Sequence, residues 1–380
     1  MQLTMLGAYG DLAEVLLSAD PKALSFRTSE LRDVEAWRAQ ARTKVAELLA
    51  APDAGTPTPN VVERTLLDRL EATRLRWQLP YGPPTEALLL KPQGAAGPLP
   101  CVLALHDHGG LKYFGWRKVA DDGAPVHPVT QALRDEAYGG RAWANALARR
   151  GYVVLCHDVF LWGSRRIGLR DVPERVRWNG ATDPRADTEQ EVRAYNDWAS
   201  TYENLVAKSL LSAGTTLPGV ILAEDQAALD VLCAQPEVDP ERVACAGLSG
   251  GGLRTVYLAG MDPRPRAAMC VGLMSTWRDP IFHQCDHWTW MMFAPRLPHY
   301  LEWAEVLGMH APAPVLVQNN SEDQLFTLVE MQRADALLHE VYAKAGAPDR
   351  YCCQFYPGEH KFDIQMQEAA FDWLDRWLKT

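Results

Sequence analysis

Val238 to Gly252 reads VDPERVACAGLSGGG, and its two halves follow different rules. Arg242–Leu248 is a short apolar run of the kind that forms a buried strand, and a helical pattern starts around Gly252. Between them, Gly247-Leu248-Ser249-Gly250-Gly251 matches G-x-S-x-G. A chain turning sharply from strand to helix with serine at the apex needs glycines beside it, because side chains there would collide. Small-residue turns between strand and helix are common, so the motif alone is weak. The strand before it and the helix after it make Ser249 a candidate nucleophile rather than an ordinary turn residue.

Outward from this segment, strand and helix signals alternate from about Glu86 to the C-terminus. Ala87–Leu90, Cys101–His106, Tyr152–Cys156, Val243–Leu248, Ala267–Leu273, Val315–Gln318 and Tyr351–Tyr356 are short apolar runs. Helical patterns fall at Arg141–Arg150, Pro218–Cys233, Gly252–Ala259, Thr327–Lys344 and Asp363–Leu378. Such alternation predicts an α/β fold with a mostly parallel central sheet flanked by helices. The leading residues 1–60 form a short N-terminal helical extension: after Thr28 and Ser29, Leu31, Val34, Trp37, Ala41, Val45, Leu48 and Leu49 mark one helix face that Pro52 stops. Residues 61–380 make the catalytic domain. The charged, Trp-rich stretch 160–216 reads as an excursion from the sheet, a lid-like insertion.

A serine hydroxyl needs a base, and the base an orienting acid. In a strand-turn-helix site of this kind the order along the chain is Ser, acid, His. The strand APVLVQNN is followed by Ser321-Glu322-Asp323, which puts Asp323 at the strand's carboxyl end, with Glu322 beside it as a second carboxylate. The strand Tyr351–Tyr356 leads into Pro357-Gly358-Glu359-His360, just before the final helix. Ser249, Asp323 and His360 are therefore the expected triad. Cys101–His106 ends in His106-Asp107-His108-Gly109-Gly110. There the amide of His108 or of Gly109, together with that of Gly250, can bind a carbonyl oxygen as it becomes negative.

These segments resemble the α/β-hydrolase superfamily, and within it the acetyl xylan esterase and dienelactone hydrolase-like branch. The likeness rests on LALHDHGG, on Asp239-Pro240 and Arg242-Val243 ahead of Ser249, on YLEWAEVLGMHAPAPVLVQNN and on HKFDIQMQEAAFDWLDRWL. It covers about Glu86 to Thr380. It implies an α/β-hydrolase fold and a serine carboxylesterase that cleaves esters through an acyl-enzyme, with small acyl esters such as acetylated sugars as substrates. Two departures are visible: Asp107 stands where a glycine is usual, and Asn319-Asn320 where the loop before the acid often carries one.

Composition narrows the alternatives. The 380 residues are 47% hydrophobic and 23% charged, an ordinary globular balance. With 38 basic against 48 acidic residues and a net charge of −10, a nucleic-acid partner is not expected. The N-terminus has no signal-peptide pattern and no run is long enough for a membrane span. The eight cysteines sit mostly in apolar runs, and only Cys285 lies in a loop-like segment. A reducing cytoplasm is the simplest expected location. A serine peptidase of the prolyl oligopeptidase type shares the elbow motif, but only about 80 mainly helical or charged residues precede the core, too few for a propeller. A non-catalytic binding module on the same fold would not need three triad residue types in order.

Among the thirteen tryptophans, Trp373 and Trp377 read as core, whereas Trp288 and Trp290, with His287, Met291, Met292 and Phe293, follow a strand in a region that could overhang the site. Trp162, His287, Trp288 and Trp290 are the candidate substrate-pocket residues. His106-Asp107-His108 and His157-Asp158 have metal-ligand residue types, but the serine set already accounts for that rim, and no metal or cofactor is expected. Asp158 reads as a loop-fixing hydrogen-bond acceptor.

Overall fold

The computed structural model describes residues 5–17, 20–27, 33–95 and 97–379. Thr28, Ser29 and Leu31, named above, lie outside them. Nine strands form one sheet: β1 (Asn60–Leu67), β2 (Leu70–Trp77), β3 (Thr85–Pro92), β4 (Leu99–Ala104), β5 (Val153–His157), β6 (Val238–Leu248), β7 (Ala267–Val271), β8 (Val315–Asn320) and β9 (Tyr351–Tyr356). Their order across the sheet is β1-β2-β3-β5-β4-β6-β7-β8-β9. The first three pairs, β1–β2, β2–β3 and β3–β5, are antiparallel, and from β5 to β9 every pair is parallel.

The helices are α1 (Gly10–Leu17), α2 (Val34–Leu49), α3 (Pro128–Ala137), α4 (Trp143–Arg149), α5 (Glu189–Ala213), α6 (Leu217–Cys233), α7 (Gly250–Met261), α8 (Leu297–Tyr300), α9 (Trp303–Gly308), α10 (Leu328–Lys344) and α11 (Ile364–Leu378). The period-2 alternation of each buried strand divides the core between the two faces. Leu103, Leu105, Val243 and Cys245 pack with α2, α6, α7, α9 and α10. Val102, Ala104, Ala244 and Ala246 pack instead with α4 and α11. All eight cysteines are free, and Cys285 is the exposed one.

Two segments whose bounds the sequence leaves loose take definite form. The charged segments after residue 60 form the β1–β2 hairpin at the sheet's edge. The excursion contains α5, a helix of 25 residues. Its start is fixed by a reciprocal capping box between Thr188 and Glu191, and Gly214 ends it at φ 94°. Among the described residues no single helix is long and apolar enough to cross a membrane. The pair α5 and α6 passes that test together, but it bends by 89°, and α6 is buried along most of its length.

Helix α2 belongs to the main core. Trp37, Ala41, Val45 and Leu49, four residues apart, are fully buried on one face. Trp37 stacks on Phe26 at 4.7 Å and donates its indole N–H to Leu24 O at 2.7 Å. Trp37→Ala is expected to lower the unfolding free energy by about 3–5 kcal/mol, the usual cost of emptying a tryptophan site. Urea denaturation of wild type and variant would measure it. A change below about 1 kcal/mol, the range of most surface substitutions, would mean that the leading helix is not part of the cooperative core.

Candidate active site

Ser249 stands between β6 and α7 at φ 57° and ψ −121°. A side-chain-bearing residue rarely adopts that conformation, and the surrounding structure holds it there. The close approach of β6, α7 and the end of β4 explains the glycines: a Cβ on Gly247 would lie 2.5 Å from Leu105 O and 2.6 Å from the Gly251 carbonyl carbon. Ser249 N–H donates to Val271 O at 2.9 Å, which ties the elbow to the carboxyl end of β7.

His360 arrives at the same place from the loop after β9. Its ring lies against Gly272, where a Cβ would be 2.9 Å from His360 Cε1. His360 Nδ1 is 2.6 Å from Asp323 Oδ2, and Asp323 is almost wholly buried. Leu325 N–H donates to the other oxygen, Asp323 Oδ1, at 2.9 Å. His360 Nε2 is buried without a partner among the described residues; it is the nitrogen a base would offer to a nucleophile. Of the two adjacent carboxylates, Glu322 is exposed and accepts from Gly358 N–H at 3.2 Å.

The loop after β4 completes the rim. A Cβ on Gly250 would lie 2.6 Å from the His108 backbone nitrogen, so the His108 amide is packed directly against the residue that follows Ser249. Between the two candidate amides, that contact is made by His108. The Gly250 amide opens α7 and has no acceptor within the helix. Asp107, at the position where a glycine is usual, is buried and accepts from Tyr138 Oη at 2.7 Å. A carboxylate thus anchors the loop from below.

The His108 side chain lies on the cavity side. Gly110 N–H donates to His108 Nδ1 at 3.1 Å, which leaves the proton on Nε2, 3.4 Å from Glu203 Oε2. Glu203 comes from α5 and is buried. It pairs with the Lys112 ammonium, accepts from Thr289 Oγ1 at 2.6 Å and accepts from Trp290 N–H at 2.8 Å. Burial alone would raise the Glu203 carboxyl, but Lys112 and His108 outweigh it and hold the group well below the usual carboxylate range. Burial and the Lys112 charge lower His108 from its ordinary value. One carboxylate therefore joins the loop after β4, the insertion helix and the segment around residue 290.

These groups border a cavity of about 610 Å³ lined by His108, Glu203, Asn204, His287, Trp288 and Trp290, among others. Trp290 is half-buried and donates its indole N–H to Asn204 Oδ1 at 2.8 Å. Trp288 meets Phe326 edge-on at 4.9 Å, and His287 is exposed. Met291 and Met292 are core residues. Trp162 departs from its expected place: it is fully buried and does not line this cavity. Its ring lies under the loop, edge-on to His108 at 5.1 Å, and its indole N–H reaches His108 O at 3.3 Å. A second cavity, of about 650 Å³, opens beside α2 and the amino ends of β7 and β8, away from Ser249.

The other clusters of metal-ligand types are committed elsewhere. His157 Nε2 lies 3.0 Å from both Asp225 Oδ1 and Arg254 Nη2. Asp158 accepts from Trp116 N–H at 2.8 Å and Ser164 N–H at 2.7 Å, fixing two loops, and burial raises its carboxyl to about 6. Lys112, Lys118 and Glu203 were not singled out from sequence. The available signal was Glu203 itself, a carboxylate on the stripe Val192, Tyr195, Ala199, Ala207 that α5 buries.

A parallel sheet in this order, with a strained serine after β6, an acid after β8 and a histidine after β9, decides the architecture. The fold is that of the α/β-hydrolases. Structural comparison agrees: a "putative acetyl xylan esterase" from Bacteroides fragilis matches 93% of this chain and 83% of its own, with a TM-score of 0.65 at 17% identity. A glucuronoyl esterase from Solibacter usitatus matches 93% and 97%, with a TM-score of 0.60 at 16% identity. A promiscuous CE15 esterase from a marine bacterial metagenome matches 94% and 96%, with a TM-score of 0.62 at 14% identity. By sequence, the chain is 25% identical over 322 residues to "Putative hydrolase YtaP" of Bacillus subtilis (strain 168), covering 84% of this chain and 89% of that protein. No family model matches. Ser249, Asp323, His360 and the loop carrying His108 all follow the carboxyl ends of parallel strands, where open α/β sheets carry their sites.

Proposed function

We propose that the protein is a serine carboxylic-ester hydrolase acting on small acyl esters, with acetylated sugars as the substrate class. The observation that carries this reading is the His360–Asp323 contact of 2.6 Å beside Ser249, with His360 Nε2 left unpartnered. The esterases among its structural neighbours and the hydrolase it resembles in sequence support the reaction class. Ser249 Oγ attacks the ester carbonyl while His360 Nε2 takes its proton, and Asp323 holds the ring and steadies the imidazolium. The carbonyl oxygen becomes negative facing the Gly250 and His108 amides. The alcohol leaves with the proton from His360, and water then releases the acid from Ser249 by the same steps in reverse roles.

The sugar assignment rests on the cavity. Trp290 and Trp288 offer aromatic faces, while Asn204, Ser200 and His287 offer hydroxyl partners. Wild-type enzyme is expected to hydrolyse p-nitrophenyl acetate faster than the octanoate and to release acetate from acetylated xylo-oligosaccharides. Trp290→Ala should raise KM for the acetylated sugar about tenfold, the scale of one aromatic contact of about 1.5 kcal/mol. It should leave kcat on p-nitrophenyl acetate within about twofold, as expected for lost uniform binding. Preference for octanoate, with no acetate released from sugar, would reject this substrate class while leaving the ester chemistry standing.

A further inference from the structure

The loop that faces Ser249 is held from behind by one buried ammonium. Lys118 ends the short turn Trp116–Lys118, and its side chain is fully buried. Its Nζ donates to Asp107 O at 2.6 Å and to His108 O at 3.0 Å, and lies 3.6 Å from Asp107 Oδ1. The two peptide units involved, 107–108 and 108–109, are both trans. In a trans peptide the C=O and the N–H of the same plane point in opposite directions. Two consecutive carbonyls turned toward Lys118 therefore turn two consecutive N–H groups, those of His108 and Gly109, away from it. The first of these N–H groups belongs to the His108 nitrogen against which Gly250 packs. Gly109, at φ 53°, supplies the left-handed step that lets successive amides converge on an anion.

We propose that Lys118 is a positioning residue that aims the oxyanion-binding amides of the loop after β4; the proposal rests on the serine-hydrolase reading above. Charge-assisted hydrogen bonds are roughly twice as strong as neutral ones, so this ammonium outweighs each neutral group on the same carbonyls: the Trp162 indole N–H at 3.3 Å and the Leu111 N–H at 3.2 Å on His108 O, and His106 Nδ1 at 2.9 Å on Asp107 O. Burying an ammonium is costly unless its donors are used, and two of the three go to these carbonyls. Burial lowers Lys118 to about 8, with Asp107 opposing the shift and Lys112 adding to it, so the group is still mostly charged at pH 7.

The test uses the full chain carrying Lys118→Met or Lys118→Gln, with folding checked by near-UV circular dichroism. Two quantities are compared with wild type: kcat and KM for p-nitrophenyl acetate, and the inhibition constant of 1,1,1-trifluoroacetone. That ketone's hemiketal with Ser249 places a negative oxygen where the transition state has one. Lys118→Met is expected to lower kcat about 100-fold, the scale of one lost oxyanion donor, with KM within about threefold. The ketone's inhibition constant should rise in the same proportion, and Lys118→Gln, which keeps an N–H donor, should recover part of both losses. A merely structural lysine would not tie the two quantities together. Wild-type constants in both folded variants would overturn the proposal, as would a fall in kcat with unchanged ketone affinity. Failure of both variants to fold would make Lys118 a folding residue and also withdraw it. Ser249→Ala run in parallel separates the two levels: residual wild-type activity there defeats the hydrolase reading itself, whereas a dead Ser249→Ala beside unaffected Lys118 variants defeats only this inference.

Discussion

Ser249→Ala and His360→Ala are each expected to lower kcat for p-nitrophenyl acetate by about 10⁴- to 10⁶-fold, and the double variant to lose little more. The reason is that the two side chains perform one step. Without the imidazole, the hydroxyl keeps its proton and is a poor nucleophile; without the hydroxyl, the imidazole has no proton to accept. Once either is gone, removing the other deletes nothing that still works. KM should move little, since neither group contributes most of the ground-state contact in a cavity lined by Trp288, Trp290 and Asn204. Steady-state rates of the four proteins give the answer directly, and a fluorophosphonate probe should label wild type but not Ser249→Ala. If the two losses multiplied, the residues would act in separate steps. An active Ser249→Ala would reduce the elbow to a turn.

The same elements show how much of this site can be read from a sequence. Ser249, Asp323 and His360 were legible because each follows a short apolar run that only a buried strand explains. The chain order then places them at one end of the sheet. The choice between Asp323 and Glu322 was harder, since neighbouring residues share the loop, and only the coordinates put one of them 2.6 Å from His360 Nδ1. Lys112 and Lys118 were invisible for a different reason. In LKYFGWRKV they look like solvated surface charges, and their burial is created by Trp162 and by α5. Glu203, the partner of Lys112, lies 91 residues further along the chain. No local pattern reports that. The pattern turns strand-like from about Val61, but the bounds of the β1–β2 hairpin were hard to read, because its outer strand is almost entirely exposed and Leu66 to Leu79 is charged.

Asp323→Asn is the second large effect: kcat is expected to fall about 10⁴-fold with the fold intact, as when the orienting aspartate of a triad loses its charge. An amide cannot steady the imidazolium that forms as Ser249 loses its proton. It can also offer N–H to Nδ1, which stabilises the tautomer whose Nε2 cannot accept. Glu322→Gln should stay within about threefold of wild type, because the Glu322 carboxylate is exposed and the hydrogen bond it accepts from Gly358 N–H at 3.2 Å can be accepted equally well by an amide oxygen. Reversal of the two results would transfer the acid to Glu322. One further carboxylate near the site, Asp279, follows β7 and is fully buried. It is already saturated: Ser275 Oγ donates to Oδ2 at 2.6 Å, Thr327 N–H to the same oxygen at 2.9 Å, and Thr327 Oγ1 to Oδ1 at 2.9 Å. Those bonds brace the segment after β7 against the start of α10, close behind the Asp323 loop. Asp279→Asn should therefore show itself in thermal stability rather than in kcat, because the carboxylate it removes supports the loops and never meets His360.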